Sequence, residues 1–327
     1  MKLATMASAL ALALAGAAAA APPNWDKVTR KVITVFQTGT ASMEWTLHRP
    51  DHAGARGMLK GESCASCHHD EAPEIGKKIV TKHVLEPDAD TVRGKAGSIP
   101  VTVQAAYDAT NLYLRFQWKA TGSTGGRKMD EKNAVKLAVM LGDEKVEYAN
   151  IGGCWASCHH DLRSMPDVNP NAAKHPRAKE LDIRANGPTK YLKESRTALE
   201  TKDKPRGGWD KVKSDSEIAA ALKDGRFLEM WQYRSGEPPR EGYVLDARRL
   251  KDAAGLATGR EEGGLWTVTF TRRLAGGSGI HAIAAGRAYN LGFAIHDNHS
   301  NYRFHHVSLG YSLGLDNPKA DINAVRQ

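Results

Sequence analysis

The 327-residue sequence predicts a mainly β fold, an antiparallel β-sandwich with a few short helices. Residues 112–119 alternate apolar and polar side chains with a period of two, which is typical of a half-buried strand. Similar β-rich segments recur along the chain, separated by turns rich in Gly, Asn and Asp. About eight or nine such strands suit two packed antiparallel layers.

In chain order, the first expected strand is rich in Val and Ile, and later ones begin or end at turn residues such as the Asp-Ala-Thr-Asn of residues 108–111. The expected strands are residues 32–36, 101–107, 112–119, 135–141, 227–233, 243–246, 265–271, 289–296 and 302–313. A helix is expected over residues 214–222, because Ser214 and Glu217 form a capping box and Gly225 can end the helix. Residues 161–210 are polar and rich in Pro and Lys, which predicts a long loop with a short helix near residues 189–199.

The most specific motif is Cys64-Ala65-Ser66-Cys67-His68, a C-x-x-C-H sequence. This spacing is the attachment motif for c-type haem. Cys64 and Cys67 would each bind a vinyl group of the haem, and His68 would be the proximal iron ligand.

A second motif, C-x-x-x-C-H, begins at Cys154 and ends with Cys158 and His159. One extra residue makes this a rarer haem-attachment spacing. Both motifs have Ala-Ser before the second cysteine and continue as Cys-His-His-Asp, and together they contain all 4 cysteines. Two repeated motifs therefore predict two covalently bound haem c groups, with the loop after the second motif wrapping its haem.

Disulfides and structural zinc are the alternative uses of these cysteines. Disulfides suit an exported chain but do not explain the histidine after each pair. A zinc site usually combines two half-motifs over a short span, whereas these motifs lie far apart in the sequence. We therefore favour haem attachment.

Residues 1–21 contain a basic start, an Ala/Leu-rich segment and a small-residue end, which predict a secretory signal peptide. After its cleavage the protein is expected in the bacterial periplasm, without a membrane span; an uncleaved N-terminal anchor is the alternative. The expected domains are an N-terminal c-type haem segment at residues 22–85 and a haem-binding β-sandwich at residues 86–327. The net charge of +9 can steer an acidic protein partner, and export argues against nucleic acid as the partner.

The last expected hairpin provides the candidate distal ligands of the second haem. A three-residue loop at residues 299–301 would place Ala294 opposite His306 and surround His306 with small side chains, on which a flat macrocycle could rest. His306 is therefore the favoured metal ligand. A register error of one residue would select His305 instead.

The first haem has several candidate distal ligands. His48, His52 and His83 are nearest in sequence, and His69 or His160 could reach across if the haems stack.

Four segments resemble the ethylbenzene-dehydrogenase-type haem-binding domain, which also occurs as the gamma subunit of DMSO-reductase-family molybdenum enzymes. They are residues 103–116, 153–167, 292–297 and 303–308, within a resemblance that spans roughly residues 80–315. The resemblance implies a β-sandwich that carries one haem at its end and relays electrons. The best-known members hold non-covalent b-type haem through Met and Lys. The cysteine pairs here resemble instead a c-type branch with a preceding cytochrome segment, in which histidine ligation is the more natural expectation.

The expected function is that of a periplasmic dihaem c-type cytochrome that transfers electrons between redox proteins. A molybdoenzyme and a membrane quinol-oxidising cytochrome are both open as partners. One alternative is a haem enzyme with an open axial site that reduces a small oxyanion or peroxide. A sensor in which haem is structural is less favoured, because no output segment is recognisable in the sequence.

Overall fold

The computed structural model describes residues 22–37, 46–50, 52–81, 94–122, 130–157, 192–198, 212–300 and 305–327, except the side chains of residues 154–157. The predicted signal peptide and most of the predicted long loop lie outside these ranges. So does the boundary expected between residues 85 and 86, and the division into two domains stays a prediction.

The described residues form five short α-helices and thirteen strands. The helices are α1 (Ala55–Met58), α2 (Cys64–His68), α3 (Ala72–Thr81), α4 (Ala149–Ser157) and α5 (Asp215–Lys223). The strands are β1 (Lys31–Phe36), β2 (Ser98–Tyr107), β3 (Asn111–Lys119), β4 (Lys136–Gly142), β5 (Leu228–Arg234), β6 (Glu237–Val244), β7 (Arg248–Asp252), β8 (Ala257–Glu262), β9 (Leu265–Arg273), β10 (Ala288–His296), β11 (His306–Val307), β12 (Tyr311–Leu315) and β13 (Ile322–Arg326).

The strands join in one hydrogen-bonded sheet in the order β7-β6-β5-β4-β10-β11-β1-β2-β3-β9-β8. β12 and β13 connect β10 to β2 a second time, so that six strands close a ring. All pairs are antiparallel except β12 with β13 and β13 with β2. The predicted mainly β, antiparallel fold is confirmed, and its strands belong to a single continuous sheet.

Two wings extend from this ring and face each other. One wing consists of β4 to β7 beside β10, and the other consists of β3, β9 and β8. Phe116 of β3 meets Phe293 of β10 with ring centroids 5.1 Å apart. Phe270 of β9 meets Trp231 of β5 at 6.0 Å. Because these four aromatic side chains are fully buried, the space between the wings forms the main core.

The N-terminal segment is part of the same sheet. β1 pairs with β2 over its whole length and with β11 at Phe36. Upstream of β1, the Gln104 amide donates to the carbonyls of Trp25 and Val28, and the Arg115 guanidinium lies 4.6 Å from the Trp25 ring centroid. The chain that leads to the first motif is therefore anchored on strands β2 and β3.

The predicted strands within residues 32–36, 101–119, 135–141, 227–233, 265–271 and 289–296 all occur at nearly the expected positions. The helix predicted at residues 214–222 is α5, and both hydrogen bonds of the Ser214–Glu217 capping box are present. Gly225 then adopts a φ of 78°, as a residue just beyond a helix often does. In the described part of the chain, no helix is long and apolar enough to cross a bilayer.

The last predicted hairpin differs in its register and in its second strand. Within residues 305–313 that strand is interrupted, since β11 ends at Val307 and β12 begins at Tyr311. Ala294 lies opposite Val307 and Ile295 lies opposite His306, one residue away from the predicted pairing of Ala294 with His306. The prediction was wrong because it assumed an unbroken ladder, whereas the pairing with β10 shifts by one residue between β11 and β12.

Candidate haem sites

Helix α2 presents the first motif at the surface of the sheet. Ser63 caps it, since its hydroxyl accepts from the Ser66 amide at 3.2 Å. Cys64 is buried and Cys67 is exposed. The two residues lie three positions apart on one helix face, and His68 ends the helix. This local structure puts two thiols and an imidazole at one place.

The imidazole of His68 is oriented by a carboxylate. Its Nδ1 lies 2.8 Å from Oε2 of Glu71. The carboxylate oxygen accepts this hydrogen bond, so Nδ1 carries the proton and Nε2 keeps its lone pair. Metal-binding histidines commonly have such a carboxylate on the second nitrogen. His68 therefore presents Nε2 in the form that a metal requires.

His52 brings a second imidazole to the same place. The rings of His52 and His68 have centroids 6.3 Å apart and planes tilted by 32°. The Nδ1 of His52 lies 2.7 Å from the carbonyl oxygen of Thr46. Two thiols that can attach the vinyl groups and two imidazoles that can bind the iron are what a six-coordinate c-type haem uses, and the residues of the first site therefore fit this group.

The other histidines predicted near the first site are placed differently. His48 is buried, and its carbonyl accepts the amide of His52. His69 turns toward β12, where the hydroxyl of Tyr311 lies 3.4 Å from its Nδ1. Burial raises the pKa of Tyr311 to about 12, with a further contribution from Asp321. His83 lies outside the described residues.

Helix α3 fixes the first motif to the sheet through two glycines. A Cβ on Gly76 of α3 would lie 2.0 Å from the carbonyl oxygen of Gly97, which is next to β2. A Cβ on Gly97 would lie 2.6 Å from the Lys77 nitrogen. Only a pair of glycines permits this backbone contact, so the segment that follows His68 has a fixed position on the sheet.

Helix α4 contains the start of the second motif, and a glycine in this helix also makes a close backbone contact. Gly153 kinks the helix with φ 54° and ψ −137°, immediately before Cys154. A Cβ on Gly153 would lie 2.7 Å from the Gly310 nitrogen, and one on Gly310 would lie 2.9 Å from the carbonyl oxygen of Asn150. Part of the surface predicted to support a macrocycle is therefore covered by the backbone of α4.

The two motif helices pack against each other, α2 with α4. The backbone at Cys154 belongs to α4, whereas Cys158, His159 and His160 lie outside the described residues. The site residues predicted for the second haem are thus only partly described, and their roles stay predictions.

His306 and His305 lie on opposite faces of the hairpin. His306 is buried opposite Ile295, and its Nε2 donates to the carbonyl of Ala96 at 2.7 Å. Burial lowers the pKa of His306, and among the described residues its buried Nδ1 has no hydrogen-bond partner. The His305 ring instead meets the ring of His296, with centroids 4.7 Å apart. In the observed register, His305 lies on the same face of the hairpin as Ala294. This is the face that was predicted for His306.

Comparison with known proteins identifies the family. A family model described as ethylbenzene dehydrogenase matches residues 25–262. The chain belongs to the ethylbenzene dehydrogenase family. The match to this family begins before β1 and extends through β8, so it includes the first motif and most of the sheet.

Two curated relatives cover nearly all of the chain. Cytochrome c-552 from Stutzerimonas stutzeri is 41% identical over 100% of both proteins. Cytochrome c-551 from Rhodocyclus tenuis is 30% identical and covers 93% of this chain and 100% of its own length. The predicted membership of the ethylbenzene dehydrogenase family is thus confirmed.

Sequence reasoning gave Glu71 no role and did not single out His52 among the candidate ligands. Glu71 follows His68 by three positions, a spacing that could have indicated contact across one helical turn. No local pattern distinguished His52 from His48, because their different orientations arise from the turn before α1.

Proposed function

We propose that the protein is an exported dihaem c-type cytochrome that transfers electrons between redox proteins. Cys64 and Cys67 would attach the first haem, with His68 as its proximal ligand. The corresponding residues of the second haem would be Cys154, Cys158 and His159. The names of both relatives, cytochrome c-552 and cytochrome c-551, support the haem c assignment.

The observation that carries this proposal is the arrangement of α2. Both thiols lie on one helix face, and the next imidazole is held by Glu71 in the tautomer that binds a metal. When bound, haem iron would accept and release one electron. The chain itself would fix the ligand orientation, bury Cys64 and present a basic surface to acidic redox partners.

For the second haem we propose His305 as the distal ligand in preference to His306. Ala149 of α4 shares a buried cluster with Ala294 and Val307. Side chains two positions apart along a strand point the same way, so His305 lies on the same face as Val307. His306 points to the other face and donates its Nε2 proton to a carbonyl.

The experiment is expression of the full chain in a bacterium competent for cytochrome c assembly. Mass spectrometry of the exported protein should show two haem additions, and the pyridine haemochrome spectrum should show thioether-linked haem. Loss of residues 1–21, detected by N-terminal sequencing of a periplasmic fraction, would support export. A colourless exported chain with its cysteines oxidised to disulfides would refute the proposal.

Substitution of Cys154 and Cys158 by alanine separates the two sites. We expect this variant to keep one haem, bound at Cys64 and Cys67. The haem-enzyme alternative predicts an open axial position and therefore rapid binding of carbon monoxide by the reduced wild-type protein. The imidazole of His52, whose ring centroid lies 6.3 Å from that of His68, argues against an open position at the first site.

A further inference from the structure

We infer that His52 is the distal iron ligand of the haem at Cys64, Cys67 and His68, so that this haem has two imidazole ligands. The inference rests on the proposed function and specifies the coordination of its first site. It follows from three features of His52, namely its tautomer, its distance from His68 and its position over Gly54.

The hydrogen bond to Thr46 sets the tautomer of His52. A backbone carbonyl only accepts hydrogen bonds, so the Nδ1 of His52 must donate over the 2.7 Å contact. The lone pair of the ring is then on Nε2. His68 has the same tautomer through Glu71. The two neighbouring rings therefore each have the lone pair on Nε2, as two imidazole ligands of one metal ion would require.

The separation of the rings matches two ligands of one metal ion. A metal–imidazole bond is about 2 Å long, so rings on opposite sides of one ion have centroids roughly 6 Å apart. The observed separation is 6.3 Å. Two other histidine rings lie closer to their neighbours, His281 to Phe227 at 4.2 Å and His296 to His305 at 4.7 Å, whereas His69 lies 6.5 Å from Tyr311. The 6.3 Å between His52 and His68 is the separation that two imidazole ligands of one ion would have.

The backbone holds the His52 ring in this place. The amide of His52 donates to the carbonyl of His48, and the carbonyl of His52 accepts from Ala55 at the start of α1. A Cβ on Gly54 would lie 2.9 Å from Cε1 and 3.2 Å from Nε2 of the His52 ring. Gly54 thus provides the space that the ring occupies, and the turn positions His52 before any haem is attached.

The test uses the full-length, haem-loaded protein with His52→Ala. We expect both haems to stay covalently attached, because attachment depends on the cysteines and the proximal histidine. One haem per chain should change from low spin to high spin in the ferric absorption and electron paramagnetic resonance spectra. The reduced variant should bind carbon monoxide at one haem per chain, and added imidazole should restore the low-spin spectrum.

Two further variants test for indirect effects. Gly54→Ala should displace the ring and give part of the same spin change, since its φ of −71° suits alanine and only the side chain is in conflict. His281→Ala removes a buried histidine whose Nε2 contacts the Phe227 carbonyl at 3.0 Å, and it should leave both haems low spin.

The outcomes separate this inference from the proposed function. A wild-type chain without covalent haem would overturn both. A dihaem wild type whose His52→Ala variant keeps two low-spin haems and binds no carbon monoxide would overturn the ligand assignment alone. In that case His48→Ala and His83→Ala, measured in the same way, would identify the ligand.

Discussion

At the scale of single residues, the two motifs differ at the third position after the proposed proximal histidine. The first motif has Glu71, whose carboxylate contacts the Nδ1 of His68, whereas the second has Leu162 at the corresponding position. A carboxylate on Nδ1 raises the basicity of the ligand nitrogen. A more basic ligand favours ferric over ferrous iron, so the proposed haems are expected to differ in reduction potential.

Glu71→Gln should raise the reduction potential of the first haem. The amide oxygen of glutamine can still accept from Nδ1, but the negative charge is lost. A tenfold change in the relative stability of the two oxidation states equals about 59 mV for one electron, and we expect a shift of tens of millivolts. Spectroelectrochemical titration measures it, with Leu162→Gln as the control at the second motif. Equal potentials in wild type and Glu71→Gln would contradict the role of the carboxylate.

A second single-residue feature is the turn between β2 and β3. The Oδ1 of Asp108 accepts from the amides of Thr110 and Asn111, both at 2.7 Å, and its Oδ2 accepts from the Tyr113 hydroxyl at 2.6 Å. Burial opposes ionisation of Asp108, but these hydrogen bonds outweigh it and lower its pKa to about 2. The ionised carboxylate therefore stabilises the turn.

This shift predicts a pH-dependent contribution to stability. The pKa in the folded protein is below the ordinary value of 3.8, so the stabilisation is complete above about pH 4 and is lost as the pH falls toward 2. Asp108→Asn should lower the free energy of unfolding at pH 7, and its difference from wild type should shrink between pH 4 and pH 2. Urea denaturation at a series of pH values measures this. A difference that stays constant with pH would contradict it.

At the scale of elements, the glycine contact beneath α4 positions the second motif. The backbones of Gly153 and Gly310 touch, and the φ of 54° at Gly153 is in a region that disfavours a side chain. The next residue is Cys154, so any shift of the helix moves the first thiol of the motif.

Gly153→Ala should therefore reduce haem attachment at the second motif. We expect the variant to retain haem at Cys64 and Cys67 and to yield a mixture of chains with one and two haems by mass spectrometry. Gly255→Ala is the matched control, because Gly255 also has a positive φ, 81°, but no atom of the described residues lies within 4 Å of the position that an added Cβ would take. Full attachment in Gly153→Ala would show that this contact does not position the motif.

The strands that sequence patterns predicted are those with strong apolar content. β3 and β10 have long buried runs, which a period-two or continuous apolar pattern reveals. β7 and β8 were missed because they are charged edge strands with the sequences RRLKD and ATGREE. Charged edges discourage pairing with other chains, and this same property removes the apolar pattern on which prediction depends.

The candidate sites were predictable to the extent that their chemistry is local. The spacing of Cys64, Cys67 and His68 is enough to predict them as haem-site residues without a structure. The position of the His52 ring near His68 depends on a turn. The choice between His305 and His306 depends on the strand register, which changes at the break between β11 and β12, residues 308–310. Such long-range geometry has no local signature in the sequence.

At the scale of the whole molecule, a buried ion pair joins the two wings of the sheet. The guanidinium of Arg272 on β9 donates to both carboxylate oxygens of Glu229 on β5, at 2.9 and 2.6 Å. Glu229 also accepts from the Trp231 indole and the His281 amide. With Glu229 1% exposed and Arg272 3% exposed, each charge depends on the other for compensation.

Arg272→Met should destabilise the protein strongly, because it leaves the Glu229 carboxylate buried without its cation. We expect a loss of about 3–5 kcal/mol in the free energy of unfolding. The double variant Glu229→Gln with Arg272→Met should recover part of this loss. Denaturant unfolding of the haem-loaded protein measures both variants. A loss below about 1 kcal/mol for Arg272→Met would show that the pair is not needed to hold the wings together.

The glycine contacts at Gly76 with Gly97 and at Gly153 with Gly310 fasten α3, which follows the first motif, and α4, which begins the second, to one continuous sheet. Two domains joined by a flexible linker would change their separation by diffusion, whereas two groups held on one sheet keep a constant distance from each other. Electron exchange between the proposed haems would then take place without a gating motion. Its rate should be the same in buffer and in viscous glycerol solution, and only the encounter with an external partner should slow.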